Sequence, residues 1–214
     1  MERTVKIKTF VSNEHDDLHC LQACVRMIID TAENKMLSVR EVEEFTGFVS
    51  GLQTWPYQTM LSFADRGYYI ENIEAMDHRE FANDPRSCVI KEYGEEMWEH
   101  FLNVSDVEKA QNDAKRCVSH ERIKLINRIP DLELIKKYTG NSFQIINLNA
   151  KRLRNIEGYN GHFILLESII DNKVYIQNPG LPPVKNQEVD INDFIGAWHC
   201  PNARAANVMV VKYG

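Results

Sequence analysis

The stretch DDLHCLQACVRMIID, residues 16–30, decides how the chain is interpreted, because it places a cysteine at the start of an amphipathic helix. From Cys20 onward the apolar side chains recur at helical spacing, which predicts a helix with a broad buried face. A helix N-terminus presents free N–H groups and a positive dipole end, so a thiol there is expected to have a lowered pKa. Cys24 lies one turn deeper, where desolvation keeps a thiol inert. Cys20 is therefore the better candidate nucleophile.

The composition excludes several classes of protein. Hydrophobic residues make up 43% of the 214 positions and charged residues 26%, as in ordinary soluble domains. The net charge of −6 disfavours nucleic acids and acidic membrane surfaces as partners, because both need a dense basic surface. No run approaches the roughly 18 apolar residues of a membrane span, and no secretory signal is recognisable. We expect a single cytoplasmic domain, 1–214, with no nucleic-acid or membrane partner.

The first part of the chain predicts mostly helices. TVKIKTFV (4–11) alternates like a short strand, and the aspartates of the loop SNEHDD (12–17) are expected to cap the cysteine helix. SVREVEEFTG (38–47) has a capping box and a glycine stop. TWPYQTMLSFADRG (54–67) predicts a helix capped by Thr54, and YYIENIE (68–74) predicts a strand.

The segments 77–138 and 142–214 differ in the secondary structure that their sequences predict. The segment 77–138 carries capping signals at Asp77, Ser105, Ser119 and Asp131, so we expect a mostly helical insertion that covers the cleft. The segment 142–214 contains the β-rich runs SFQIINLN, GHFILLESII, KVYIQN and ANVMVVKY, with a short helix in DINDFIGAWH. The expected architecture is α+β, in which the cysteine helix packs on a mostly antiparallel sheet that carries a histidine and an asparagine.

His162 and Asn178 are the candidate partners of the thiol. A cysteine nucleophile needs an imidazole within hydrogen-bond reach and a third group that orients this imidazole. The tight turn between GHFILLESII and KVYIQN places His162 and Asn178 at the same end of neighbouring strands, offset by about three residues. The order Cys, then His about 140 residues later, then Asn agrees with papain-like enzymes, although the local papain signature is absent.

The cysteines also allow a structural and a metal-binding interpretation. The five cysteines are an odd number at irregular spacing, which favours free thiols in a reducing compartment, and Cys20 taken alone can be a small buried residue. Two groups have side chains that suit zinc: His15, His19, Cys20 and Cys24, and Cys117, His120, His199 and Cys200. Neither has paired C-x-x-C spacing. We predict no metal site and no cofactor.

Three segments carry a resemblance to a known family: DDLHCLQACVRMI (16–28), QIINLNAKRLRNIEGYNGHFILLESIIDNKVYIQNPGLPP (144–183) and FIGAW (194–198). They resemble the papain-like cysteine peptidases related to the bacteriocin-processing domains that cut double-glycine leaders, in particular their stand-alone bacterial and archaeal relatives. The resemblance implies a papain-like fold, with Cys20 as the nucleophile, His162 as the base and Asn178 as the group that orients the imidazole.

The chain departs from this family at two positions. Family members usually have Asp where Asn178 stands, and an amide can still accept a hydrogen bond from the imidazole without supplying a charge. The family's oxyanion-hole glutamine lies six positions before the cysteine, where this chain has Glu14, and a carboxylate repels a developing oxyanion. Three alternatives stay open: Asn13 or Gln22 donates together with the Cys20 N–H, Glu14 is protonated, or the oxyanion hole is impaired.

The predicted reaction is cleavage of a peptide or amide bond through a thioester acyl-enzyme. His162 would take the thiol proton and later protonate the leaving amine. The same triad with an amine as acyl acceptor would make an acyltransferase or transpeptidase. If the oxyanion hole is impaired, the chain would be a catalytically inactive module that binds peptides.

Overall fold

A computed structural model describes residues 6–213. The helices are α1 Cys20–Glu33, α2 Val39–Thr46, α3 Tyr57–Asp65, α4 His78–Asn83, α5 Pro85–Tyr93, α6 Glu95–Val104, α7 Val107–Ser119, α8 Leu132–Tyr138, α9 Ala150–Leu153 and α10 Ile191–Trp198, with a 3₁₀ turn at Ala203–Ala205. The strands are β1 Tyr69–Glu74, β2 Ile123–Asn127, β3 Phe143–Asn149, β4 Gly161–Ile170, β5 Lys173–Asn178, β6 Val184–Asp190 and β7 Asn207–Lys212.

The strands form one seven-stranded sheet in the order β2-β1-β7-β3-β4-β5-β6. β1 and β2 pair in parallel, and the other neighbouring pairs are antiparallel. The expected α+β class and mostly antiparallel sheet are confirmed. Two features were not predicted: β1 and β2, which precede the segment 142–214, join the sheet, and the polar strand β6 forms one of its edges.

Helices cover both faces of the sheet. On one face, α1, α2, α3, α4, α5 and α7 pack around alternate strand residues such as Ile70, Leu165 and Met209. On the other face, α8 and α10 pack on the intervening residues, for example Ile164 and Val210. This alternation follows from the two-residue period of a strand. α1 is buried along most of its length, as predicted, and contacts β4. No helix within residues 6–213 is long and apolar enough to span a bilayer.

Several predicted helix boundaries are confirmed. The Ser38 side chain accepts a hydrogen bond from the Glu41 N–H and the Glu41 side chain accepts one from the Ser38 N–H, which closes the capping box at the start of α2. The helix ends at Gly47, where φ is 65° and glycine avoids the clash of a Cβ. Asp77 caps α4 and Asp131 caps α8.

Other boundaries differ from the predictions. Asp106, one residue after Ser105, caps α7, and Ser119 is the last residue of that helix rather than a cap. α3 begins at Tyr57 rather than after Thr54. The Thr54 hydroxyl instead accepts a hydrogen bond from Gln22 Nε2 at 3.0 Å, so it links the segment before α3 to α1.

The predicted strand TVKIKTFV is wrong over residues 6–11, which contain no strand, and residues 4 and 5 lie outside the described residues. The segment instead docks on α1. The Lys8 N–H donates to Thr31 Oγ1 at 3.0 Å, and Lys8 Nζ donates to Asp30 Oδ1 at 3.0 Å. Backbone groups that a strand would pair with a neighbouring strand are thus used in contacts with a helix.

The aspartate cap predicted for α1 is also absent. His19 occupies the N-cap position and its side chain makes no capping hydrogen bond. Asn13 Oδ1 accepts from the His19 N–H at 2.7 Å, whereas Asp16 Oδ1 accepts from the Leu18 N–H at 3.1 Å. An amide six residues upstream therefore organises the turn that leads into α1.

Candidate active site

His162 and Asn178 are in contact at one end of the β4–β5 hairpin. The hairpin closes on the pair Ile170 and Lys173, and a register shift between Leu166 and Ser168 offsets the strands further along. His162 Nε2 lies 2.8 Å from Asn178 Oδ1. The strand arrangement deduced from the tight turn thus brings the imidazole and the amide within hydrogen-bond distance.

Three hydrogen bonds fix the orientation of the Asn178 amide. Its Oδ1 accepts from the Gly180 N–H at 3.0 Å as well as facing His162, and its Nδ2 donates to Gln187 Oε1 at 2.7 Å. Because Oδ1 can only accept, His162 Nε2 carries the proton in this contact, and Nδ1 is the nitrogen with a free lone pair. Gln187 lies on β6, which the sequence did not reveal as a strand, so its positioning contact was missed.

Gly180 gives the imidazole and the amide the space that they occupy. A Cβ atom placed on Gly180 would lie 3.0 Å from Asn178 Oδ1 and 3.1 Å from His162 Nε2. Both distances are shorter than ordinary van der Waals contacts, so any side chain here would push the two groups. The Pro-Gly that follows Asn178 in the sequence therefore has a steric role at this site as well as a turn role.

Cys20 is the first residue of α1 and is buried, with 8% of its surface exposed. Its Sγ accepts a hydrogen bond from the Phe163 N–H at 3.4 Å, and Phe163 follows His162 on β4. Within residues 6–213, no hydrogen bond joins Cys20 Sγ to the His162 ring. The structure therefore brings the thiol to the backbone beside the imidazole, but not into direct contact with a ring nitrogen.

Burial controls the charge of both groups. It raises the pKa of the Cys20 thiol to about 11, against the opposing effect of the Phe163 and Leu21 N–H groups. Burial also lowers the pKa of His162, although the Asn178 hydrogen bond works in the opposite direction. The thiol and the imidazole are therefore both neutral at pH 7, which differs from the lowered thiol pKa expected at a helix N-terminus. Cys24 is fully buried, and desolvation raises its pKa well above the ordinary value.

The three candidate oxyanion-hole residues lie around the start of α1 in different environments. Asn13 is buried and its Nδ2 donates to Asp17 Oδ1 at 2.8 Å. Gln22 is buried and its Nε2 donates to two threonine hydroxyls at 3.0 Å. Glu14 is half-buried. The Cys20 N–H makes no hydrogen bond to another residue within residues 6–213, as is usual for the first N–H of a helix. This N–H is a donor next to the thiol.

His19, the residue before Cys20, connects two carboxylates. Its Nδ1 lies 3.0 Å from Asp16 Oδ1 and its Nε2 lies 2.9 Å from Glu43 Oε1. Burial lowers the pKa of this imidazole, but the hydrogen bonds and charges of Glu43 and Asp16 outweigh burial and raise it. His19 thus ties the loop before α1 to α2.

A cavity of about 270 Å³ opens beside Cys20. Its floor is the sheet face formed by β1, β3, β4 and β7, and its walls come from the loop before α3 and from α5 and α6. Cys20 and Asp17 line it, whereas His162 and Asn178 do not. Both α5 and α6 belong to the segment 77–138, which also contains the strand β2.

No group of three or more His, Cys, Asp or Glu side chains in the described part of the chain is arranged to hold a metal ion. His15, His19, Cys20 and Cys24 do not converge on one point, and neither do Cys117, His120, His199 and Cys200.

Known structures share this fold. The chain is similar to a double glycine motif protease from an AMS/PCAT transporter, solved in complex with the leader peptide, with a TM-score of 0.52, 9% identity, and 99% of this chain and 95% of that chain covered. It is also similar to the peptidase domain of Streptococcus ComA, a bi-functional ABC transporter involved in quorum sensing, with a TM-score of 0.50, 10% identity and full coverage of both chains. No family model and no curated protein matches the sequence. The fold expected from the resemblance is therefore confirmed from structure rather than from sequence.

Proposed function

We propose that residues 1–214 form a single-domain thiol peptidase in which Cys20 is the nucleophile, His162 the base and Asn178 the group that orients the base. The observation that carries this proposal is the 2.8 Å contact between His162 Nε2 and Asn178 Oδ1, at the strand whose Phe163 N–H binds the Cys20 thiol. Together, the two contacts support a site in which a thiol acts as nucleophile, an imidazole as base and an amide as the group that orients the base. The five free cysteines support a reducing compartment such as the cytoplasm.

The chemistry follows from the protonation states. With Nε2–H donated to Asn178, the free Nδ1 of His162 takes the proton of the Cys20 thiol as Sγ attacks the scissile carbonyl carbon. The resulting imidazolium protonates the departing amine, which leaves a thioester on Cys20. Water then adds to the thioester carbonyl and gives a proton to Nδ1. The C–S bond breaks to release the acid, and Nδ1 returns the proton to Cys20 Sγ. Because both groups start neutral, the proton moves during attack rather than before it.

A peptide is the proposed substrate class. The first structural neighbour is a peptidase in complex with a leader peptide, and the cavity of about 270 Å³ beside Cys20 has the sheet as its floor. The oxyanion donor in this proposal is the Cys20 N–H, joined by a side chain from Asn13, Gln22 or a protonated Glu14.

The proposal is tested with a proteome-derived peptide library and mass spectrometry of new termini. The wild type should cleave a subset of peptides, and Cys20→Ala and His162→Ala should lose this cleavage. Cys24→Ala is the matched control and should retain it, since Cys24 is a buried thiol one turn away. Adding hydroxylamine should convert part of the acid product to hydroxamate by trapping the thioester, and products joined to library amines would identify an acyltransferase. Cleavage that survives in Cys20→Ala would refute the assignment.

A second candidate, a peptide-binding module without turnover, is favoured by one set of observations. The Cys20 pKa is raised to about 11, and the amide donors of Asn13 and Gln22 are already engaged. In the same library, this candidate predicts peptides retained on the immobilised protein, without new termini, in equal amounts for the wild type and Cys20→Ala.

A further inference from the structure

We propose that the cavity beside Cys20 binds a basic side chain of the substrate, with Glu74 as the residue that selects for positive charge. This inference rests on the proposed function, because it names the part of the peptide that the site would recognise. The cavity is bounded by the cysteine helix on one side and by β1 on the other, so a group bound there lies next to the reacting thiol.

The charges that line the cavity are all negative. Three carboxylates contribute to it, those of Asp16, Asp17 and Glu74, whereas its lining, all from the described residues, includes no Lys, Arg or His. Asp16 and Asp17 are exposed and belong to the loop before α1. Glu74 ends β1 and its side chain is only 14% exposed. A carboxylate held in such a poorly hydrated position is stabilised by a cation that enters the cavity.

The carboxylate of Glu74 has one engaged and one available oxygen. Oε1 accepts a hydrogen bond from Asn72 Nδ2 at 2.8 Å and lies 3.3 Å from His78 Nε2. Oε2 makes no hydrogen bond within residues 6–213. It is the oxygen left to receive an ammonium or guanidinium donor.

His78 is the titratable group nearest to Glu74, and its ring approaches that carboxylate at Oε1. Its Nε2 lies 3.3 Å from Glu74 Oε1 and 3.0 Å from Asn72 Nδ2, and its Nδ1 lies 3.0 Å from the Tyr57 hydroxyl. Burial opposes the charge of Glu74, but the interactions with His78 and the Asn72 hydrogen bond outweigh burial and lower the pKa of this carboxyl. Glu74 is therefore ionised at neutral pH, with Oε2 left for a ligand.

Aromatic rings surround the same space. Trp55, Tyr57, Tyr93, Phe101 and Tyr159 line the cavity. Burial raises the pKa of Tyr159 to about 12, so this phenol adds no negative charge at neutral pH. Ring faces attract cations and also cover the methylene groups of a long basic side chain. A cavity of about 270 Å³ holds one such side chain rather than a folded segment.

The test uses two probes of the same shape, benzamidinium and neutral benzamide, titrated calorimetrically into the wild-type protein. We expect benzamidinium to bind at least about tenfold more tightly, and Glu74→Gln to remove this preference because it keeps the shape but not the charge. Glu71→Gln is the matched control, since Glu71 is on the same strand but outside the cavity, bound to Lys212 and Tyr138. Equal binding of the two probes, binding of neither, or a preference that survives in Glu74→Gln would overturn the inference.

The wild-type comparison decides the matter even if Glu74→Gln fails to fold. The titration requires no turnover, so its result is independent of whether the protein cleaves peptides. In the library experiment, cleavage sites should be enriched in Lys or Arg near the scissile bond. Cleavage without that enrichment would refute the basic-side-chain inference and leave the proposed peptidase intact.

Discussion

The raised pKa of Cys20 predicts how this thiol reacts with an alkylating agent as the pH changes. Alkylation proceeds through the thiolate, and burial places the pKa of Cys20 at about 11. At pH 8, about one thiol in a thousand would be ionised, compared with about a quarter of thiols that have an ordinary pKa near 8.5. The thiolate population of Cys20 is thus about 200-fold smaller than that of an exposed cysteine.

The assay is iodoacetamide labelling at a series of pH values, with each cysteine located by peptide mass mapping. Burial also limits the access of iodoacetamide to Cys20, but this lowers the labelling rate by the same factor at every pH. The pH at which the labelling rate rises and levels off therefore reports the pKa. We expect the rate to increase about tenfold per pH unit from pH 8 to pH 10 without levelling. In denaturant, the labelling rate of the same cysteine should follow an ordinary pKa of about 8.5 and level off above it.

A Cys20 rate that is already level below pH 8 in the folded protein would refute this reasoning. It would mean that the helix N-terminus and an imidazolium outweigh burial and that the thiol is ionised at rest. His162→Ala separates these two causes, because it removes the imidazole and leaves the helix terminus in place. A level rate that persists in this variant would point to the helix terminus.

Three further predictions concern the surroundings of the site. Asn178→Ala should lower the pKa of His162 further, because it removes the hydrogen bond that opposes burial, and an NMR titration of the imidazole showing no change would contradict this. Gly180→Ala should reduce the free energy of unfolding in urea by about 1–3 kcal/mol, because its Cβ would crowd Asn178 Oδ1 at 3.0 Å; unaltered stability would argue against that crowding. The raised pKa of His19 stabilises the fold below its unfolded value of about 6.5, and this contribution is lost as pH rises through the folded value. The stability difference between the wild type and His19→Gln should therefore be larger at about pH 6 than at about pH 9, and a difference that grows with pH would reverse the assigned sign.

The sequence predicted those elements whose formation depends on residues close to one another in the chain. The capping box of Ser38 with Glu41 marks a helix start, and the apolar spacing after Cys20 marks a buried helix. The tight turn between β4 and β5 was enough to place His162 near Asn178, because a hairpin fixes which residues face each other. These features require only residues that are close in sequence or joined by a short turn.

The features that the sequence did not predict depend on distant parts of the chain. β6 is mostly polar and half exposed at the edge of the sheet, so it lacks the apolar alternation of a strand, and with it Gln187 was missed. The pKa of Cys20 was predicted in the wrong direction because helix position was considered without the burial imposed by neighbouring segments. The role of Glu74 depends on His78, Asn72 and the rings around the cavity, which are assembled only in the folded chain.

The parallel pairing of β1 and β2 has a consequence for how this protein can be re-engineered. The segment 75–122, with α4 to α7, is a crossover that runs from the end of β1 back to the start of β2, and these two points lie at opposite ends of the parallel strands. The segment supplies Tyr93, Met97 and Phe101 to the cavity, whereas Cys20, His162 and Asn178 lie outside it. Because α4, α5 and α7 also pack in the core, these three cavity positions, rather than the whole segment, can be varied to reshape the cavity while the thiol, imidazole and amide stay in place.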